Sequence, residues 1–238
     1  MAINGIAASL SGLQVSTTRV SQTAHNLANL STPGFSPGRV EQAELSQGGA
    51  TLTGITSLGA GPVIASQRQL DLAIDGGGFF VLNDGQGGNF YTRTGNFIVN
   101  SQGQFTDLQG RALAPGITLP AQTAQLNIGS DGTIQALSTD GQVLAQGQLQ
   151  TASFGNPGGL EAVGGNAFRE TAASGPPITA TPGTAGHGLI VSGALQASGT
   201  DIATEMVNLT IDQRTFEANL KALRTQDEIL GTILDVVG

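Results

Sequence analysis

Cysteine is absent from this chain of 238 residues, so it can form neither a disulfide nor a thiolate metal site. Tryptophan is absent as well, charged residues make up only 11%, and the nine Lys and Arg residues form no run. The formal charge is −8. An acidic chain without a basic cluster suits neither nucleic acid nor an anionic membrane surface. No apolar run approaches the ~20 residues a membrane helix needs. The opening residues, Met-Ala-Ile-Asn-Gly-Ile, place no cationic stretch ahead of an apolar core and are not read as a cleaved signal peptide. The expectation is a chain that does not insert in membranes and that, if exported, leaves without such a signal.

Catalytic signatures are missing too. There is no Gly-x-Ser-x-Gly elbow and no Gly-Lys-Ser/Thr phosphate loop. Gly76-Gly77-Gly78 runs into Phe79-Phe80 and reads as a turn or bulge, since no helix follows to receive a phosphate. Only His25 and His187 could serve a triad, the first in a helical pattern and the second in a Gly-rich loop. Asp71 and Asp75 alternate along a strand pattern and are expected on a solvated face. The triplets at Asn29 and Asn208 match a glycosylation acceptor by chance, because both fall in or beside helical patterns. No enzyme, cofactor or metal site is expected.

The chain does have a hydrophobic seam at each end. Ile3, Ile6, Leu10, Leu13, Thr17, Val20, Ala24 and Leu27 step by threes and fours. So do Ile202, Met206, Leu209, Gln213, Phe216, Leu220, Leu223, Asp227, Leu230 and Leu234. This is the a/d pattern of a coiled coil, narrower than a globular core face. The polar interruptions cost stability and specify register. Residues 3–30 and 201–236 are predicted as helices, the first ending near Ser31 before Pro33-Gly34 and the second capped by Asp201. The first is rich in Ser and Thr, so it needs a packing partner and is expected to be partly disordered in a free monomer.

Between the helices lie Gly- and Pro-rich residues 31–69, expected as an extended arm or linker. Residues 70–199 follow as a β-rich domain with a loop-rich return from 155. Short apolar runs separated by Asp75-Gly76, Asp84-Gly85, Asp131-Gly132 and Asp140-Gly141 predict antiparallel strands and turns. The fold class is therefore α+β: long N- and C-terminal helices pairing as a coiled-coil-like region (residues 1–30 with 200–238), with a central antiparallel β-rich domain. The expected assembly residues are Ile6, Leu10, Leu13, Val20, Leu27, Met206, Leu209, Phe216, Leu220, Leu223 and Leu230.

Several stretches together resemble one family. They are residues 24–35 (Ala-His-Asn-Leu-Ala-Asn-Leu-Ser-Thr-Pro-Gly-Phe), residues 74–80 with 91–97, Glu205 to Leu209 with Gln213 to Asn219, and Asp227-Glu228-Ile229-Leu230. In order and over nearly the whole chain they resemble bacterial flagellar rod and hook proteins. Asn156 to Glu161 and Ala167 to Gly175 are most similar to distal rod members. Residues 41–62 are shorter than in those members, and Ala197-Ser198-Gly199-Thr200 departs from their pattern, so a proximal rod or short hook-like protein stays open. The resemblance implies a structural, torque-transmitting subunit of the periplasm-spanning basal-body rod. It also implies type III export and helical self-polymerisation. Other rod and hook proteins, the surrounding rings and the export apparatus are the implied partners. The alternatives are a cap or junction adaptor forming a short ring, and, from another class, a secreted β-rich binding domain whose helices cap its own core.

Overall fold

The computed structural model describes residues 2–45, 49–57, 59 and 61–237, and shows an α+β chain with a helix at each end and strands between. Helix α1 spans Ala2–Ala28, and helix α2 spans Ile202–Val237. The chain divides into two compact units. One contains residues 1–30, 37–58 and 200–238, the other residues 31–36 and 59–199.

In the first unit, local chemistry explains how poor helix formers stay helical. The hydroxyls of Ser11, Ser16, Thr17 and Thr18 donate back to carbonyls three or four residues earlier, at 2.8–3.1 Å. They are thereby satisfied without leaving the helix. Thr210, Thr215, Thr225 and Thr232 do the same on α2. Asp201 caps α2, its carboxylate accepting from the Ala203 N–H at 3.0 Å and the Thr204 hydroxyl at 2.9 Å. Where an extended arm was expected, strands β1 (Gly38–Glu44) and β2 (Ala50–Ser57) pair antiparallel as a ribbon. The ribbon lies on α1: Gly49 sits against Ala8 and Ser11, and the Ser11 hydroxyl accepts from the Ala50 N–H at 3.2 Å.

The second unit is built on short antiparallel strands. Strand β3 (Val63–Ala65) pairs with Ala194–Gln196, and β4 (Leu72–Asp75) with Leu189–Ser192. Strands β5 (Phe79–Asn83) and β6 (Asn89–Thr92) form a hairpin at the centre of the largest sheet among the described residues. The core gathers Leu72, Ile74, Phe80, Leu82, Phe97, Phe105, Ile134, Leu149 and Ile190, with Phe80 and Phe97 edge-to-face at 5.2 Å. Leu72, Ala73 and Ile74 are all fully buried, so β4 is covered on both faces. This corrects the solvated-face expectation for Asp71. Its carboxylate is buried, accepts from the Ser66 hydroxyl and pairs with Arg68 at 3.5 Å, because Asp71 immediately precedes three residues buried on both faces; Asp75, at the far end of β4, is exposed.

Two of the recognisable motifs dock on each other here. Gly34 has φ +67°, and a Cβ there would lie 2.6 Å from the Thr94 nitrogen. Its N–H donates to the Gln196 carbonyl at 2.7 Å, while the Thr94 hydroxyl donates to the Pro33 carbonyl at 3.3 Å. A Cβ on Gly95 would fall on the Leu72 carbonyl oxygen, which no side chain can avoid.

Candidate assembly surface

Helices α1 and α2 meet along a column that is polar and small, not apolar. On α1 the column is Gly5, Gly12, Arg19 and Asn26; on α2 it is Gln226, Asn219, Asp212 and Glu205. A Cβ on Gly5 would lie 2.6 Å from the Gln226 amide nitrogen, and one on Gly12 2.7 Å from that of Asn219. Arg19 reaches Asp212 at 2.8 Å, and Asn26 donates to Glu205 at 3.0 Å. Each partner advances by seven on one helix while retreating by seven on the other, so the helices run antiparallel.

The two ends of this column differ in chemistry. Asn26, 2% exposed, uses its whole amide: it donates to the Gly38 carbonyl and Glu205, and accepts from the Gly38 N–H and from Gln22. One side chain thus ties α1 to β1 and to α2. Asp212, also 2% exposed, is less well served. Arg19 is close enough to pair, yet the contacting Oδ1 has no aligned hydrogen bond. Burial pushes its carboxyl above the ordinary range, against the opposing pull of Arg19. Beside them a polar cavity of 310 Å³ is lined by Arg19, Asn26, Arg39, Glu205 and Asp212.

The expected assembly residues lie to one side of this column. Ile6, Leu13, Val20 and Leu27 each follow a column residue by one, as do Met206 and Leu220, which places them about 100° round their helices. Leu209, Phe216, Leu223 and Leu230 follow by four and stand nearer the helix contact. Because the helices are antiparallel, the same rotational sense on each leads to the same side of the pair. Ser11 precedes a column residue by one and Ala8 follows one by three, so the β1–β2 ribbon covers α1 on the opposite side. Leu10 and Met206 are 51% and 52% exposed, Phe216 is exposed, and the other eight are half-buried. Hydrophobic periodicity found the apolar stripes and passed over the polar column, although its spacing of seven is equally plain in the sequence.

His25 is exposed on the last turn of α1. His187 is buried between two hydroxyls, Nδ1 at 2.8 Å from Thr151 and Nε2 at 3.1 Å from Ser153, so a threonine stands where a triad has its carboxylate. Among the described residues no cluster of His, Asp and Glu could hold a metal ion.

Comparison with known proteins supplies the remaining evidence. Residues 73–136 match the family model of the flagellar hook protein FlgE/F/G D1 domain, and residues 191–236 that of the flagellar basal body rod FlgEFG protein C-terminal region. The chain is 36% identical to the flagellar basal-body rod protein FlgG of Caulobacter vibrioides, over 92% of this chain and 94% of that protein. It is 32% identical to FlgG of Bacillus subtilis, over 95% and 96%. The flagellar hook protein FlgE of Escherichia coli is 34% identical over 49% of this chain and 29% of its own length. The chain belongs to the flagellar basal-body rod and hook protein family.

Proposed function

We propose that this member of the flagellar rod and hook family is a structural subunit of the distal rod. It polymerises helically into the hollow shaft that transmits torque to the hook. Full-length likeness to FlgG proteins, against a half-length likeness to a hook protein, favours the rod. The observation that carries self-assembly is the one-sided apolar face. Leucines, Ile6, Val20, Met206 and Phe216 lie together on one side of a helix pair whose own contact is polar, so the hydrophobic free energy is left for another molecule. A contact of this kind that does not close on itself generates a filament. In this reading residues 1–30 and 200–238 pair in a coiled-coil-like inner layer, and residues 70–199 form the outer domain. Neighbouring rod and hook proteins, the surrounding rings and the export apparatus are the partners. Sedimentation and electron microscopy of the purified chain at rising concentration test the proposal. Helical tubes are expected, and a chain that stays monomeric at every concentration rules it out.

A further inference from the structure

The β-rich unit has an open cleft of 590 Å³, within the ~300–1,000 Å³ of small-ligand sites. Its floor is Leu70, Leu119 and Leu126, each half-buried and packed on the core. Its rims are two backbone turns held from within. In the first, Asn100 Oδ1 accepts from the Gln102 and Gln104 N–H groups, both at 2.9 Å, and the Leu119 N–H donates to the Gly103 carbonyl at 2.7 Å. In the second, the Thr123 hydroxyl donates to the Pro120 carbonyl at 2.7 Å, and the Ala124 N–H to the Leu137 carbonyl at 2.8 Å. Gln69, Gln102 and Gln125 also line the cleft. All three are exposed, and their side-chain amides have no hydrogen bond among the described residues.

The chemistry of the lining selects among ligands. Among the described lining residues there is no Asp, Glu, Lys, Arg or His, so an anion finds no counter-charge and a hard cation no carboxylate. There is no aromatic ring either, so a flat heterocycle has nothing to stack on. What remains is an aliphatic floor ringed by primary amides. Each amide offers an acceptor and two donors in one plane. Neighbouring hydroxyls, or an acetamido group, complement that set, and the C–H face of a pyranose ring complements leucine. We infer that the cleft binds a neutral oligosaccharide, its ring faces on Leu70, Leu119 and Leu126 and its polar groups on Gln69, Gln102 and Gln125. The fixed rims favour binding, because little free energy goes to ordering the site. Two sheet edges flank the cleft, the strands Ile98–Val99 and Gln125–Ile128, which makes an extended peptide the rival occupant. Only Val99 of the first edge and Gln125 and Leu126 of the second line the cleft, too short a ladder to hold an added strand. The inference stands apart from self-assembly, since every lining residue belongs to the β-rich unit.

Saturation-transfer NMR on the full chain tests this, because it reads the sugar and tolerates any state of assembly. Maltotriose and tri-N-acetylchitotriose are the probes, and at least one of them should receive transfer. Gln102→Ala with Gln125→Ala should cut that transfer at least tenfold. Gln86→Ala, at an exposed glutamine outside the cleft, should leave it unchanged. All three side chains are exposed, so the variants should keep the wild-type circular dichroism spectrum. No transfer to either sugar, or transfer that ignores the double change, overturns the proposal. So does a neutral tetraalanine peptide that displaces the sugar, which assigns the cleft to an added strand. Each of these outcomes leaves the subunit reading intact.

Discussion

Two residues hold more of this structure than their chemistry advertises. Asn26 satisfies both the N–H and the carbonyl of Gly38 while donating to Glu205. Asn26→Ala strands all three groups in a buried place and should cost about 3 kcal/mol, read by chemical denaturation of the helical circular dichroism signal. Gly95 is fixed by the Leu72 carbonyl, since backbone cannot yield as a side chain can. Gly95→Ala should destabilise the β-rich unit by about 3 kcal/mol, measured by its cooperative unfolding. Asp212 acts in the other direction. Its folded-state carboxyl titrates above the unfolded value of 3.8 because burial outweighs Arg19. The native form then holds its proton over a window in which the unfolded form has lost it. Its contribution is therefore most favourable below the unfolded pKa and is lost as pH rises through the folded one. Melting of α1 and α2 should shift to higher temperature on mild acidification, and Asp212→Asn should flatten that dependence and stabilise the pair at neutral pH.

At the scale of elements, the helices divide their work between two kinds of surface. The polar column pairs α1 with α2 in one antiparallel register, because slipping by a turn would leave Asp212, Asn26 and Glu205 buried without partners. In the proposed assembly the apolar columns carry the association free energy and little register. Leu220→Asp, on the open side of α2, should abolish polymer while the β-rich unit keeps its near-ultraviolet spectrum; normal tubes from that variant would refute the packing role. Glycine in the column has a similar logic. Gly12→Leu must displace Asn219 and push the helices apart. It should lower helix content and polymer yield together, whereas Leu220→Asp should affect yield alone.

For the whole molecule, the proposed assembly implies a chain whose ends are weak until they have neighbours. The helix contact is built on glycine, amides and one ion pair, and most of α2 lies exposed. Hydrogen exchange on the dilute chain should be fast across residues 1–30 and 200–238 and slow in the core strands around Phe80 and Ile190, with the ends becoming protected on assembly. Ends protected in a monodisperse monomer would mean a self-contained core and favour a binding domain instead.

Helix positions, strand-and-turn character and family were legible in the sequence because they rest on local physics: hydrophobic spacing, the Asp201 cap, the Asp-Gly turns and contiguous motifs. Local chemistry also foresaw the end of α1 to within a few residues, since Pro33 and Gly34 bar its continuation. What the sequence could not disclose is which of two equally regular sevenfold columns on each helix would face inward. Hydrophobicity alone puts the leucines inside, but glycine at 5 and 12 makes room for the Gln226 and Asn219 amides, and Asn26 and Arg19 find partners far along the chain, so the polar column wins. The same holds for buried Asp71 and for the ribbon of residues 38–57, whose pairing is confirmed only when a helix surface lies beside it. Periodicity names the faces of an element; only tertiary contact decides which face is spent inside one chain and which remains for the next.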